Sequence, residues 1–436
     1  MRILIVSFAF PPSNVIGAVR VGKLARYLDR RGHDVRVLTA AIGDDLTLPL
    51  EIPPERVVYT EYRERVHWPD RLAHLLRRSR TELGQNRRPA ATAQPRTPAQ
   101  SIRHSLRRHY FGLIHFPDLR TDWRRIAIRA GCELIETWKP EIIFASAPPH
   151  TGLVVASRLA RTYRIPWVAD LRDLWSDNPY YREPGWRRPV DAMLEKRTLR
   201  HAARLVTVSP IWAEQLRKRH GKAAAVVYNG YAADDFPSYP VTEAGEFLTI
   251  RYLGSIYVGF RDPSPLFSAV ALLPERLRAR VKIEFFSDEG ELILDAAAAL
   301  GIESTVAIMP RVPYRQALER QMAADVLLLL QSSDRRDAGN LPAKLFEYLY
   351  ARRPILLIGY ESGIAAQLIR ERNAGVVCND SAKIRDQLVQ WLEAKQDGRL
   401  GRLDASVSAG LGRDDQYAKV ERLFGEVLTN RAAFAR

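Results

Sequence analysis

Short, wholly apolar runs recur along this chain, separated by stretches in which apolar residues return every three or four positions. A strand without polar residues needs cover on both faces, which parallel strands packed between helices provide. Residues 3–8 predict a strand, 11–17 a loop, and 19–31 a helix whose Val21, Leu24, Ala25 and Leu28 share one face. Gly32 ends that helix and 35–38 begin a second strand. Further strands are expected at 142–146, 167–171, 205–209 and 225–228. Pro237, Pro240 and Gly245 then interrupt the series. A second series follows, with strands near 250–253, 281–286, 305–308, 326–330, 354–358 and 375–377. No fixed period links these segments, which excludes a solenoid. The expectation is an α/β chain of two doubly wound domains, 1–238 and 246–410.

A length of 436 residues suits two domains better than one core. Hydrophobic residues at 46% and charged residues at 27% exclude a disordered or collagen-like chain. The two cysteines, Cys132 and Cys378, have no metal-ligand spacing, so neither a disulfide framework nor a zinc site is expected. The first apolar run is short, meets Pro11-Pro12, and has no small-residue cleavage site. No run approaches the ~18–20 apolar residues that span a bilayer. A cytoplasmic protein is expected, at most peripheral on the inner face of a membrane.

Lysine and arginine number 66 against 50 acids, a surplus of +16 that favours phosphate-bearing partners. Much of it falls between residues 71 and 108, which hold ten arginines, no lysine and one acid, Glu82. With Pro89, Pro95 and Pro98, the segment reads as an insertion between strands. It is either a solubilising loop or a patch for anionic head groups, where each basic residue adds ~1 kcal/mol. On the second reading, Arg77, Arg78, Arg80, Arg87, Arg88, Arg103, Arg107 and Arg108 are the membrane contacts. Nucleic acid is not the expected partner, because the chain shows neither aromatic interleaving nor a recognition module.

Four loops could carry chemistry. Gly17 lies where the first loop feeds a helix, whose N-terminus attracts anions. Ser146-Ala147-Pro148-Pro149-His150 and Asp170-Leu171-Arg172-Asp173 leave the ends of neighbouring strands, with Arg172 between two carboxylates. One of these carboxylates can be a structural partner for the guanidinium, and His150 converges with them at the sheet edge. Asn340 suits a helix cap ahead of Pro342, and Leu341, Leu345, Tyr348 and Leu349 form a buried stripe. Lys344 and Glu347 then share one side of that helix, either as an ordinary surface ion pair or as phosphate and sugar-hydroxyl ligands. In the second domain's first loop, Gly254 and Arg261 could meet a diphosphate.

Several of these segments occur together and in order. The opening through Gly17, Ser146-x-Pro148-Pro149-His150, Asp170-x-Arg172-Asp173-x-Trp175, Val208-Ser209-Pro210 with Asn229-Gly230, and Lys344-Leu345-Phe346-Glu347-Tyr348-Leu349 together resemble family 4 glycosyltransferases. The likeness spans nearly the whole chain outside the arginine-rich insertion. The chain resembles the bacterial members that build capsule, exopolysaccharide or O-antigen.

The resemblance implies a GT-B fold, two facing Rossmann-like domains with the active site in the cleft, and a last helix near 415–428 that returns to the first domain. It implies a retaining transfer from a nucleotide-diphosphate sugar to a lipid-linked or oligosaccharide acceptor, without metal or further cofactor. By carry-over, Glu347 holds the donor ribose, Lys344 and Arg261 hold its phosphates, and Gly17, Gly254 and Asn340 line the donor site. His150, Asp170, Arg172 and Asp173 form the catalytic, acceptor-side group. Where the family pattern has a glutamate eight residues before Glu347, this chain has Gly339, and Ser255 stands where an arginine is usual. Two alternatives stay open: a nucleotide-sugar epimerase on the same scaffold, and a non-catalytic nucleotide- or lipid-binding scaffold protein.

Overall fold

The computed structural model describes residues 1–43, 46–62, 112, 114–181, 183–238, 245–256 and 260–430. The arginine-rich segment, with all eight expected membrane contacts, lies outside the described residues.

The chain divides into two compact units, Met1–Val206 with Leu423–Arg436, and Thr207–Arg422. Strands β1 (Arg2–Val6), β2 (Asp34–Ala41), β3 (Val57–Glu61), β4 (Ile142–Ala147), β5 (Trp167–Leu171), β6 (Arg204–Thr207) and β7 (Ala224–Val226) form one sheet. Their order is β3-β2-β1-β4-β5-β6-β7, and β1 pairs in parallel with both β2 and β4. Helices α1 (Ile16–Arg30), α2 (Trp123–Trp138), α3 (Thr151–Tyr163), α4 (Arg187–Leu199) and α5 (Pro210–His220) connect the strands. Ile3, Leu4, Ile5 and Val6 are fully enclosed, as their unbroken apolar run requires.

The second sheet repeats the scheme. It comprises β8 (Leu248–Leu253), β9 (Val281–Phe286), β10 (Val306–Met309), β11 (Val326–Leu330), β12 (Ile355–Ile358) and β13 (Gly375–Val377), in the order β10-β9-β8-β11-β12-β13. Its helices are α6 (Ser264–Ala271), α7 (Glu275–Arg278), α8 (Gly290–Ala298), α9 (Tyr314–Met322), α10 (Ala343–Ala351), α11 (Ile364–Glu371) and α12 (Ser381–Gln396). Leu341, Leu345, Tyr348 and Leu349 are buried, so the expected stripe of α10 is the face laid on the sheet. The expected cap is corrected. Pro342, extended at φ −67° and ψ 141°, precedes the first turn, and the Asn340 carbonyl accepts from Gln331 instead. A proline there stops the helix from starting at Asn340, because the residue before a proline avoids helical angles.

In each sheet the strand order reverses once, between β1 and β4 and again between β8 and β11. Loops leaving the carboxyl ends on either side of such a reversal diverge and leave a crevice, the usual ligand position in open α/β sheets. A final helix, α13 (Arg413–Thr429), ends the described chain. Its Phe424 is fully buried and meets Phe144 of β4 edge-to-face at 5.8 Å. No helix among the described residues is long and apolar enough to cross a membrane. Phe424→Ala should destabilise the first unit by about 3–5 kcal/mol, the usual cost of emptying a buried aromatic site, as read by urea unfolding.

Candidate functional site

At the first reversal, α1 and the ends of β4 and β5 share one hydrogen-bonded chain. Arg20 of α1 grips Asp170 through two bonds, Nε to Oδ2 and Nη2 to Oδ1, both 3.1 Å. Ser146 Oγ donates to the same carboxylate at 2.7 Å and accepts from Arg172 Nε at 3.1 Å. Arg172 Nη2 donates to the Pro148 carbonyl at 2.6 Å. The alternation Asp170-Arg172-Asp173 suggested an ion pair between chain neighbours. Asp170 is instead paired with Arg20, whose planar fork matches a carboxylate bidentately. Asp170 is wholly buried, which gives it a positioning role.

Gly17 has a visible reason to be glycine. An added Cβ would lie 2.7 Å from Arg172 Nη2, so the guanidinium occupies the space that a side chain would take at the start of α1. Asp173, next along, accepts no hydrogen bond from a described residue, and burial pushes its carboxyl pKa up against the pull of Arg172. A half-buried carboxylate of this kind is open to a substrate hydroxyl.

His150 stacks flat on Trp175, with centroids 4.5 Å apart and planes 2° from parallel. Its Nδ1 is buried without a partner. Burial pulls its pKa down to about 4; Asp118 and Glu195 oppose this and Arg172 reinforces it, so the ring is neutral near pH 7. Asp170 and Asp173, the two carboxylates expected beside it, are not the ones that act on it. Asp118 in addition accepts from the Thr151 N–H and hydroxyl, both at 2.8 Å, and so caps α3.

The second reversal gathers cations around the end of β8. Lys344 of α10 does not pair with Glu347. Its Nζ donates to the Leu253 carbonyl at 2.6 Å and lies 4.6 Å from the centroid of the Tyr252 ring. Gly254, at φ +139°, makes this possible, because a Cβ there would fall 2.5 Å from Nζ. Burial, reinforced by the charge of Arg261 and opposed by that of Glu347, lowers the Lys344 pKa to about 8. Arg261 Nη1 donates to the Ser255 carbonyl at 3.0 Å.

Arg311, which the sequence reading did not single out, donates from Nη2 to Ser255 Oγ at 2.7 Å and pairs through Nε with Asp288 at 2.7 Å. Glu347 faces α9, accepting from the Tyr314 hydroxyl and Gln321 Nε2, each at 3.0 Å. At Gly339, an added Cβ would fall 2.3 Å from Cδ1 of Trp212, so no carboxylate fits there while the indole stays in place.

The second unit thus combines three cations near one loop with a carboxylate on α10, the helix that also carries Lys344. Such a set can bind a diphosphate and a pair of hydroxyls. Arg20→Ala would leave Asp170 buried without its cation. We expect a loss of about 3–5 kcal/mol in urea unfolding and weakened alignment of Arg172.

Residues 17–232 match the family profile described as "Glycosyl transferase 4-like domain". No curated protein sequence matches the chain significantly. Among solved structures, the Anabaena protein Alr3699/HepE in complex with UDP is similar, with 14% identity, 99% of this chain and 100% of that chain covered, and a TM-score of 0.63. Sucrose-phosphate synthase from Thermosynechococcus elongatus follows at 14% identity, 98% and 99% coverage and a TM-score of 0.61. The lipopolysaccharide outer core galactosyltransferase WaaB shares 12% identity over 98% of this chain and 100% of its own, with a TM-score of 0.57.

Proposed function

We propose that the second unit of this chain, a glycosyltransferase of GT-B fold whose residues 17–232 match the glycosyl transferase 4-like domain, holds a nucleotide-diphosphate sugar. The observation that carries this is the juxtaposition of Lys344 and Arg261 at the end of β8, where the charge of Arg261 raises the cost of charging Lys344. An anionic ligand relieves that cost. Lys344, Arg261 and Arg311 meet the diphosphate, Glu347 accepts from the ribose hydroxyls, and Gly254 and Asn340 border them. As the sugar–phosphate bond breaks, charge grows on the leaving diphosphate, and cations already in position stabilise it without reorganising. They supply the positive charge that a divalent metal would otherwise bring, so the transfer runs without metal.

The first unit receives the acceptor. Asp173 accepts from a hydroxyl, neutral His150 offers its Nδ1, and Arg172 beside Gly17 faces negative charge. Retention of configuration fits this assignment, because Asp170 is committed to Arg20 and Ser146 and the reaction rests on leaving-group stabilisation. The acceptor is a lipid-linked saccharide of a surface polysaccharide, handled at the cytoplasmic face of a membrane that the basic segment 71–108 contacts. WaaB, named for outer-core lipopolysaccharide, supports that class of acceptor by likeness of fold.

The full chain should be heated with UDP, GDP, ADP or CMP in metal-free buffer. A hundredfold excess over Kd of the right nucleotide adds about 2.7 kcal/mol of stability. Lys344→Ala and Glu347→Gln should each remove most of that gain. No response to any of them would sink the donor assignment and leave the non-catalytic reading suggested by the filled space at Gly339. Lys344 is charged below its pKa of about 8 and loses its charge as pH rises through that value. Nucleotide Kd should therefore be flat near pH 7 and rise up to about tenfold per unit above pH 8, a dependence that Lys344→Ala abolishes.

A further inference from the structure

Helix α4 is built inside out. Arg187, Asp191 and Glu195, four apart along one line, are each 1% exposed. Arg187 pairs with Asp191 at 3.2 Å and Glu183 at 2.9 Å, while Glu195 accepts from the N–H and hydroxyl of Ser176. The face turned to solvent begins with Trp186 at the helix entrance, 41% exposed, and continues with Val190 at 37% and Met193 at 68%. Steps of four and three place these on one stripe. The same face ends in Lys196, Arg197 and Arg200, all exposed, and no acidic residue of the helix points outward.

An ordinary surface helix does the reverse, with apolar side chains inside and charges outside. Ion pairs hold α4 in place here, and the exposed apolar stripe gains free energy only when something covers it. The cover must accept three apolar side chains and present negative charge beside them. A phospholipid leaflet does both, with phosphates over acyl chains. Tryptophan suits the boundary between the two, and methionine adapts to it.

We propose that this face of α4 docks the protein on an anionic phospholipid leaflet. Trp186, Val190 and Met193 enter the headgroup–acyl boundary, and Lys196, Arg197 and Arg200 lie on lipid phosphates. The helix lies in the plane of the surface and does not cross it. The proposal rests on the peripheral-membrane part of the function proposed above and gives it a surface among the described residues.

The test is co-sedimentation of the full chain with phosphatidylcholine vesicles, pure or carrying roughly a third phosphatidylglycerol. The protein should bind the anionic vesicles, and salt should weaken binding. Trp186→Ser with Val190→Ser and Met193→Ser should weaken it about tenfold. Lys196→Gln with Arg197→Gln and Arg200→Gln should weaken it about a hundredfold at low salt. Both variants should keep the parent's melting temperature and its nucleotide-induced shift.

If the parent binds and both variants bind equally well, the docking face is wrong while membrane association through the basic segment stands. If the parent ignores anionic vesicles, both fall, and the nucleotide shift still judges the transferase reading separately. A change in oligomeric state on mutating the stripe, with vesicle binding intact, would mark a protein interface and overturn the proposal.

Discussion

Two cations, one in each unit, spend their hydrogen bonds on neutral oxygens, and the candidate chemistry of the chain depends on that. Lys344 donates to a backbone carbonyl, and Arg172 to a hydroxyl and a backbone carbonyl. A cation paired bidentately with a carboxylate, as Arg20 is with Asp170, has little left for a ligand. A cation held by neutral dipoles is positioned yet keeps its field. Both are held where the strand order reverses, and both lie against a glycine that makes room for them, Gly254 for Lys344 and Gly17 for Arg172.

Much of the fold was legible because burial leaves a one-dimensional trace. A parallel strand covered on both faces reads as an unbroken apolar run, so β1, β11 and β12 were recognisable without an alignment, and β4, β5 and β9 nearly so, interrupted by Ser146, by Asp170, and by Lys282 and Glu284. Strand β3, Val57–Glu61, was missed. It lies at the end of the sheet order, and its five positions run buried, half-buried, exposed, buried, exposed, neither an unbroken apolar run nor a clean alternation. Its signal was the β-propensity of Val57, Val58, Tyr59 and Thr60.

The site was legible in part for a different reason. Loop glycines, His150, Lys344 and Glu347 were found because residue types in order carry a resemblance. Their partners could not be found that way. Arg20 reaches Asp170 across 150 positions, Arg311 reaches Ser255 across 56, and Tyr314 reaches Glu347 across 33. These distances along the chain close only when the sheet is assembled, and single-sequence spacing does not encode them. Of the two readings open for Lys344 and Glu347, the surface ion pair does not form. Burial draws the ammonium toward a strand carbonyl and the carboxylate toward a neighbouring helix.

The indole of Trp212 standing over Gly339 has a consequence for how this chain can change. A larger residue at 339 collides with the ring, and a smaller residue at 212 opens a void. Either step alone is a loss, and only the two together could be neutral. Positions 212 and 339 are therefore locked to one another in descent, and a homologue with a carboxylate at the second should carry a small side chain at the first.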